Sequence, residues 1–467
     1  MKFIFIDIGC LRADHLSCYG YQRPTSPTID KLAAEGLMCD KAFSSNVTNA
    51  GARAALFSGR FGIETSIVTD GLPSDKIDAH TPVSQFGFNA QRPMLAECLS
   101  ANGYKTAAIS PFGRQNACWF YYGWQEIIDS FSDSEPFDID AAKINNSAIE
   151  WLNRNSNDNF FLYLSYNNLY RIADSPLSDD EIEYMDLLSS QGELSSADEK
   201  SFENYRNLHA AFSPRFHKYS SLKAMRQLIH KYNAKIRYVD DCVNELISAL
   251  KNMNIYDETV LIITSDHGIL LGECGCYGGH INAHYNSARV PLIIRAPGKI
   301  SPRTNFNGLC YAMDVSSTIL NFANIEIPTG YHSIPITQLM ESSTEGRGFV
   351  VCDHGHFTAQ RSIITSDWKL NRTWHNGFWR FADTELFNIK NDPAETENLA
   401  SQNSQLVLEL MKKIRDWTNE FCSDKVDPLA AIACSEPPGY LSYGQKLRER
   451  VIRGEISPPE NYNGRWK

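Results

Sequence analysis

Short apolar runs alternate with amphipathic stretches through the first two-thirds of the chain, and this alternation restricts the fold more than any other feature. The apolar runs have the length of buried strands and occupy residues 3–6, 106–109, 160–164, 260–263 and 290–294. Between them, residues 26–36, 94–102 and 233–253 have the periodicity of amphipathic helices. This alternation predicts an α/β fold in which helices cover both faces of a large, mostly parallel sheet. Functional residues are then expected at the carboxyl ends of the strands.

The pattern changes after residue 325, where proline and glycine cluster as far as residue 336. Beyond them, short alternating segments precede one helical segment at 402–421, which predicts a small α+β domain with an antiparallel sheet. We therefore expect an N-terminal α/β domain over 1–330, a C-terminal subdomain over 331–422 and a tail over 423–467 with a basic helix near 445–453. The polar segment at about 174–219 is expected to form a surface insertion or lid.

Charge and composition exclude several classes of partner. The formal net charge is -11, which argues against binding to nucleic acid or to an anionic membrane surface. We find no apolar run long enough to span a bilayer. The run at residues 3–6 is too short for a signal peptide, and the twelve cysteines are scattered. We therefore expect a cytoplasmic protein with reduced thiols.

Four motifs occur in a characteristic order along the chain. They are RADHLSCYG (12–20) with TSPTID (25–30), RAALFSGR (53–60), IRYVDD (236–241) with TSDHG (264–268), and ELFN (385–388) with NDP (391–393) and NL (398–399). In order and spacing they resemble the sulfatase family of the alkaline phosphatase superfamily over nearly the whole chain. The nearest resemblance is to a bacterial cytoplasmic branch whose first strand ends Asp-x-Asp-Cys-Leu-Arg. The resemblance implies an alkaline-phosphatase-like fold, and the motifs locate a site.

The resemblance implies a divalent cation, usually calcium, held by carboxylates at the ends of two strands. Asp7, Asp266 and His267 stand at ligand positions, but Gly9 replaces a second aspartate of the first strand. Calcium takes six to eight oxygen ligands, so this set is incomplete. It implies at most a weakly bound calcium or magnesium ion. Alternatively, the two aspartates cap loops or pair with Arg53.

The resemblance also implies a formylglycine nucleophile made from cysteine or serine four residues before Arg53. That position is Asn49, whose amide can neither be oxidised to an aldehyde nor attack sulfur. The neighbouring Thr48 is either a replacement nucleophile or an ordinary cap hydroxyl. His280 matches a family histidine that faces the sulfate, although a structural role explains it equally well.

Two further histidine segments bear on the site. The family branch has an Asp-Pro-His segment after the strand at 160–164, and the corresponding residues 165–171 contain no histidine. The Asp353-His354-Gly355-His356 cluster matches a family strand, and we favour a structural role for it.

Three functional hypotheses follow. The first is a catalytically inactive pseudo-sulfatase that binds an anionic small molecule or a protein partner. The second is a repurposed metal-dependent hydrolase of phosphate, sulfate or sulfonate esters that uses Asp7, Asp266, His267 and His280. The third is a working sulfatase, which the substitution at Asn49 argues against. We further expect that Gly9→Asp combined with Asn49→Cys restores metal binding.

Overall fold

A computed structural model describes residues 1–70, 93–112, 117–129, 139–170, 172, 177–189, 222–377, 379, 381–422, 425–441 and 452–454. Of the predicted insertion at 174–219, only 177–189 lie within these residues. Of the predicted basic helix at 445–453, only 452 and 453 do.

The strands form two main sheets. In chain order they are β1 (Lys2–Ile8), β2 (Leu37–Phe43), β3 (Lys105–Ile109), β4 (Glu126–Ile128), β5 (Phe160–Tyr166), β6 (Thr259–Thr264), β7 (Leu270–Leu271), β8 (Tyr277–Gly279), β9 (Leu292–Arg295), β10 (Thr304–Tyr311), β11 (Val350–His354), β12 (Ala359–Ile364), β13 (Lys369–His375) and β14 (Thr384–Phe387). The larger sheet has the order β10-β2-β9-β6-β1-β5-β3-β4. Of its described strands, only β9 runs antiparallel to its neighbours. The predicted large, mostly parallel sheet is confirmed.

Helices cover both faces of the larger sheet, as predicted. In chain order they are α1 (Pro27–Glu35), α2 (Asn49–Ser58), α3 (Gly62–Thr65), α4 (Leu95–Ala101), α5 (Ala141–Asn155), α6 (Asp179–Ser189), α7 (Leu222–Asn252), α8 (Tyr285–Ala288), α9 (Asp314–Phe322), α10 (Ile336–Ser342), α11 (Ser404–Cys422) and α12 (Pro428–Ser435). On one face α7 packs against α1, α5 and α6, and on the other α9 packs against α2, α4 and α10. None of the described helices combines the length and apolar character needed to cross a membrane.

The central strands β1, β5 and β6 are buried along their whole length, which explains their continuous apolar runs. Side chains alternate along β1: Ile4 and Ile6 enter the core beneath α7, whereas Phe3 and Phe5 enter the core beneath α2. By the same period of two, Asp7 faces α2. The alternation of β1 therefore sets which helix meets the first carboxylate.

Two of the sequence motifs meet at the start of α1. Asp240 on α7 accepts hydrogen bonds from the backbone nitrogens of Thr28 (2.9 Å) and Ile29 (2.8 Å). A buried carboxylate thus satisfies amide groups that have no partner within the helix, and Pro27 stands at its first turn. Burial raises the pKa of Asp240 to about 6. This contact explains the motif residues in structural terms.

The C-terminal domain has an antiparallel sheet in the order β11-β12-β13-β14, as predicted. Its core continues into the larger domain, because Phe43 and Val47 belong to the same buried cluster as Val350 and Trp417. The Val47 nitrogen also donates to the Asp353 carbonyl at 2.9 Å. The start of α2 is thereby held between the two sheets.

Candidate functional site

Two buried carboxylates meet at the carboxyl ends of β1 and β6. Asp7 is paired in register with Thr264, the last residue of β6, and Asp266 follows two residues later. Both side chains are fully buried. The Asp266 backbone nitrogen donates to Asp7 Oδ1 at 3.2 Å. Adjacent parallel strands therefore bring together the two aspartates that the sequence predicted.

Arg53 joins these carboxylates from α2. Its Nε donates to Asp7 Oδ2 at 2.8 Å, and its Nη1 lies 2.9 Å from Asp266 Oδ2. The guanidinium is buried and packs over the ring of Phe112, 4.9 Å from its centroid. Its Nη2 has no hydrogen-bond partner within the described part of the chain. The structure thus has the arrangement in which the aspartates pair with Arg53.

Tyrosines from β5 and the loop after it complete this cluster. The Tyr163 hydroxyl donates to Asp7 Oδ2 at 2.6 Å. The Tyr170 hydroxyl contacts Asp266 Oδ2, and its oxygen lies 2.7 Å from Asn49 Oδ1. Sequence reasoning did not single out either tyrosine, although Tyr170 lies in the 165–171 segment, where the resemblance led us to expect a histidine. That departure from the family pattern was the available signal.

Tyr170 also fills the space beside Gly9. A Cβ atom placed on Gly9 would lie 2.2 Å from Tyr170 Cε2 and 2.9 Å from Cζ. Carbon atoms without a bond between them do not approach so closely. Position nine therefore has neither a carboxylate nor room for one while Tyr170 stays in place.

Asn49, which the sequence resemblance assigned to the nucleophile position, is the first residue of α2. Its Oδ1 lies 2.8 Å from His267 Nε2, and His267 Nδ1 lies 2.8 Å from the Gly268 carbonyl oxygen. Both ring nitrogens of the histidine are therefore engaged. Arg53 follows Asn49 by four residues, so both side chains lie on one face of the helix.

Thr48 is the N-cap of α2. Its hydroxyl accepts from the Gly51 nitrogen at 3.3 Å and donates to Asn46 Oδ1 at 2.6 Å. The side chain is fully buried. These contacts are those of a helix cap, which is one of the two roles that the sequence left open.

His280, immediately after β8, lies at the rim of the site. Its ring centroid is 4.3 Å from that of His267, and its Nδ1 donates to the Val47 carbonyl at 3.1 Å. Asp70 also lies at this rim. One of its carboxylate oxygens accepts a hydrogen bond from the Ala50 nitrogen at 2.9 Å, and the other lies 3.8 Å from His280 Nε2. Burial, together with the neighbouring histidines, lowers the pKa of His280 well below its usual value. The ring is therefore neutral at pH 7.

The 353–356 cluster divides between two roles. Asp353 turns away from the site and pairs with Arg361 at 2.7 Å. His354 Nδ1 donates to the same Val47 carbonyl as His280, at 2.9 Å. The rings of His354 and His356 lie 6.0 and 6.4 Å from that of His280. The structure therefore brings two histidines near the site that sequence reasoning kept apart from it.

The electrostatics of the two central carboxylates differ. Burial raises the pKa of Asp7, and the attraction of Arg53 offsets this only in part. Burial also opposes the charge of Asp266, but there the attraction of Arg53 and His267 prevails and lowers the pKa. Asp266 is therefore the firmly ionised member of the pair.

The residues present do not fit the calcium ion that the fold family implies. Asp7 and Asp266 already accept from Arg53 and the tyrosine hydroxyls, Gly9 contributes no ligand, and Tyr170 fills its place. The described residues contain no group of three or more histidine, cysteine, aspartate or glutamate side chains arranged to hold a metal. Calcium would need six to eight oxygen ligands at this point.

Comparison with known proteins places this geometry in a family. The sulfatase family model matches residues 3–325, and a model described as N-sulphoglucosamine sulphohydrolase, C-terminal, matches residues 272–420. An N-acetylglucosamine-6-O-sulfatase of Bacteroides thetaiotaomicron is 21% identical over 493 aligned positions, which cover 88% of this chain and 85% of the relative. The uncharacterized sulfatase YidJ of Escherichia coli is 25% identical over 461 positions, with 89% and 88% covered.

Solved structures agree with this match. The structure of BT4656 in complex with D-glucosamine-2-N,6-O-disulfate, described as its substrate, superposes with a TM-score of 0.72 at 18% identity, covering 91% of this chain and 99% of that one. The phosphonate monoester hydrolase of Agrobacterium radiobacter gives a TM-score of 0.61 at 17% identity, with 90% and 96% covered. Such likeness shows the fold alone. Because the sulfatase model matches well over half of the sequence and the architecture agrees, the chain belongs to the sulfatase family.

Proposed function

We propose that this member of the sulfatase family does not cleave sulfate esters and acts instead as a pseudo-sulfatase that binds a ligand or a protein partner. The observation that carries the proposal is Asn49, which stands at the nucleophile position with its amide oxygen against His267 and Tyr170. An amide oxygen fixed between two polar groups supplies no attacking atom for sulfur.

The surrounding groups support this proposal. Thr48 carries the nearest hydroxyl in the sequence, and that hydroxyl is used as the cap of α2. His280 donates its Nδ1 proton to the Val47 carbonyl, so this proton is not available to a leaving group. Catalysis of sulfate transfer needs an activated nucleophile together with stabilisation of the developing charge. Asn49 itself supplies no activated nucleophile.

The ligand class is proposed from the relatives. The N-acetylglucosamine-6-O-sulfatase and the structure with a glucosamine disulfate act on sulfated amino sugars by their descriptions. We propose that a sulfated amino sugar is the first ligand to test. Asp70, at the rim, places a carboxylate beside the start of α2, and its charge disfavours a sulfate that approaches Asn49. Binding is therefore expected to be weak unless the sugar ring supplies further contacts.

The alternative is a repurposed hydrolase of phosphate, sulfate or sulfonate esters. The observation that favours it is the retention of Asp266, His267 and His280 next to one another. Such an enzyme would need a nucleophile other than Asn49. The two hypotheses therefore predict different outcomes in one assay.

The test is turnover of aryl sulfate, aryl phosphate, aryl phosphonate and glucosamine-6-sulfate by the purified protein, compared with Asn49→Ala and Asp266→Asn variants. We expect the same background rate for all three proteins. Turnover that exceeds this background and disappears in Asp266→Asn would overturn the pseudo-sulfatase proposal and support the hydrolase. Thermal shift with glucosamine-6-sulfate, and with inorganic sulfate as the control anion, measures binding independently of turnover.

A further inference from the structure

The ring of Tyr170 fills the space beside Gly9, and its hydroxyl contacts Asp266. Both contacts bear on whether a divalent cation can bind between the aspartates. We propose that Arg53 and Tyr170 complete the buried carboxylate cluster in place of a divalent cation, so that the fold of this chain requires no metal. This inference concerns metal binding and stability, and it stands whether or not the chain turns over a substrate.

Protein donors occupy most of the hydrogen-bonding capacity of Asp7. A carboxylate offers about four lone-pair positions. Asp7 Oδ2 accepts from Arg53 Nε and from the Tyr163 hydroxyl, at 2.8 and 2.6 Å, and Oδ1 accepts from the Asp266 nitrogen. Three of the four positions are therefore occupied by protein donors. A cation at Oδ2 would have to displace the arginine or the tyrosine.

Asp266 accepts more hydrogen bonds than Asp7. Its Oδ1 accepts from the backbone nitrogens of Cys10 (3.1 Å) and His267 (2.8 Å). Its Oδ2 contacts Arg53 Nη1 and the Tyr170 hydroxyl. All four lone-pair positions are then used, and two of these contacts come from the side chains that we propose as replacements for the cation.

The ring of Tyr170 also restricts position nine sterically. The ring of Tyr170 occupies the volume next to Gly9 so closely that even a Cβ atom would lie 2.2 Å from it. The tyrosine and a side chain at position nine therefore exclude each other. Glycine at position nine leaves the space in which the phenol of Tyr170 lies beside Asp266.

The buried charges of Asp7 and Asp266 require a counter-charge. Two fully buried carboxylates without a counter-charge would be strongly destabilising. Arg53 brings a permanent positive charge to both of them, and Tyr163 and Tyr170 bring neutral donors. A guanidinium remains protonated throughout the pH range in which proteins are stable. One positive charge from within the chain thus offsets part of the charge of the two carboxylates, and the tyrosine hydroxyls donate hydrogen bonds to them.

The position of Tyr170 changes the result expected for the double variant that the sequence analysis predicted to restore metal binding. Gly9→Asp with Asn49→Cys leaves Tyr170 in place, so the new aspartate collides with its ring. We expect that variant to be destabilised and to bind no cation. Removal of the tyrosine ring is the additional change that a metal site needs.

The first test uses the unmodified protein. Elemental analysis after purification in calcium-containing buffer is expected to show no stoichiometric metal. The midpoint of thermal unfolding is expected to be the same in chelator, in millimolar calcium and in millimolar magnesium. Stoichiometric metal, or a midpoint that rises with either cation and falls in chelator, would overturn the proposal.

The second test compares two double variants. Gly9→Asp with Tyr170→Ala removes the ring and supplies the carboxylate, and its unfolding midpoint is expected to rise with calcium. Gly9→Asp with Tyr170→Phe keeps the ring and is expected to show no rise. If the first variant folds but does not respond to calcium, the assigned role of Tyr170 is wrong. If it does not fold, the measurements on the unmodified protein still decide the proposal.

Discussion

Two buried arginines in this molecule each bridge two aspartates, and they differ in how completely they are satisfied. Arg361 on β12 donates to Asp353 and Asp427 through four hydrogen bonds of 2.7 to 3.1 Å. Its Nη1 also donates to Thr418 Oγ1 at 2.9 Å. Arg53 also contacts two aspartates, but its Nη2 has no partner among the described residues. One cluster uses every nitrogen of its guanidinium, and the other does not.

The difference distinguishes a cluster whose arginine is fully paired from one whose arginine is only partly paired among the described residues. Arg361 ties β11, β12 and the start of α12 together, and each nitrogen of its guanidinium has a hydrogen-bond partner. Arg53 lies at the carboxyl ends of β1 and β6, and its guanidinium packs over the ring of Phe112. Complete pairing is typical of a group selected for stability, because buried donors without partners are costly. The pairing of Arg53 is incomplete by this measure, because its Nη2 has no partner among the described residues.

The largest expected effect tests this contrast directly. Arg361→Met leaves Asp353 without its two side-chain hydrogen bonds, and we expect a loss of about 3–5 kcal/mol in the free energy of unfolding. Arg53→Met is expected to cost at least as much, because it leaves two fully buried carboxylates without the arginine that pairs with both, whereas Asp427 is partly exposed. Urea unfolding of both variants measures the difference. A smaller loss for Arg53→Met would show that the tyrosines and backbone donors stabilise Asp7 and Asp266 without the arginine.

The next largest expected effect comes from comparing substitutions of the two aspartates that pair with Arg53. The pKa of Asp266 is lowered in the fold, so its charge stabilises the protein above the unfolded value of about 4 and this contribution is lost as the pH falls. The pKa of Asp7 is raised, so ionisation of Asp7 becomes unfavourable to the fold as the pH rises. Asp266→Asn is therefore expected to cost on the order of 2–3 kcal/mol at pH 7.

Asp7→Asn is the matched control for that measurement. We expect it to cost less than Asp266→Asn at pH 7, and the two costs to converge as the pH is lowered from 7 to about 3, because the contribution of Asp266 is lost only below the unfolded value of about 4. Chemical unfolding at both pH values provides the comparison. Equal costs at pH 7, or a gap that widens in acid, would show that the charge is distributed differently between the two carboxylates.

Much of the fold could be predicted because buried parallel strands leave a continuous apolar signal. The strands β1, β3, β5, β6 and β9 coincide with predicted runs. The strands β2 and β10 were missed, since they lie towards one edge of the sheet and mix polar residues into their sequences. The helix α7 begins at Leu222, well before the predicted residue 233, because its first turns follow a polar segment that resembled a loop.

The site was predictable only as far as its motifs reach. The positions of Asp7, Asp266, His267 and Asn49 follow from strand ends and from spacing to Arg53. The role of Tyr170 does not, because a single tyrosine in an irregular loop has no periodicity and its contact with position nine exists only in the folded chain. Two departures from the pattern that the resemblance implied, Gly9 and the lack of histidine at 165–171, were the available signals that another side chain fills the space.

The smallest effect concerns the helix caps beside the two arginine clusters. Thr48 caps α2 next to Asn49, and Asp427 caps α12 next to Arg361. Thr48→Ala is expected to cost roughly 1 kcal/mol, as loss of an N-cap usually does, while Thr48→Ser keeps the hydroxyl and most of the stability. Asp427→Ala is expected to cost more, because that carboxylate also pairs with Arg361. If Thr48→Ala instead left stability unchanged and abolished a measurable ester hydrolysis, Thr48 would be a nucleophile and the site would be an active one.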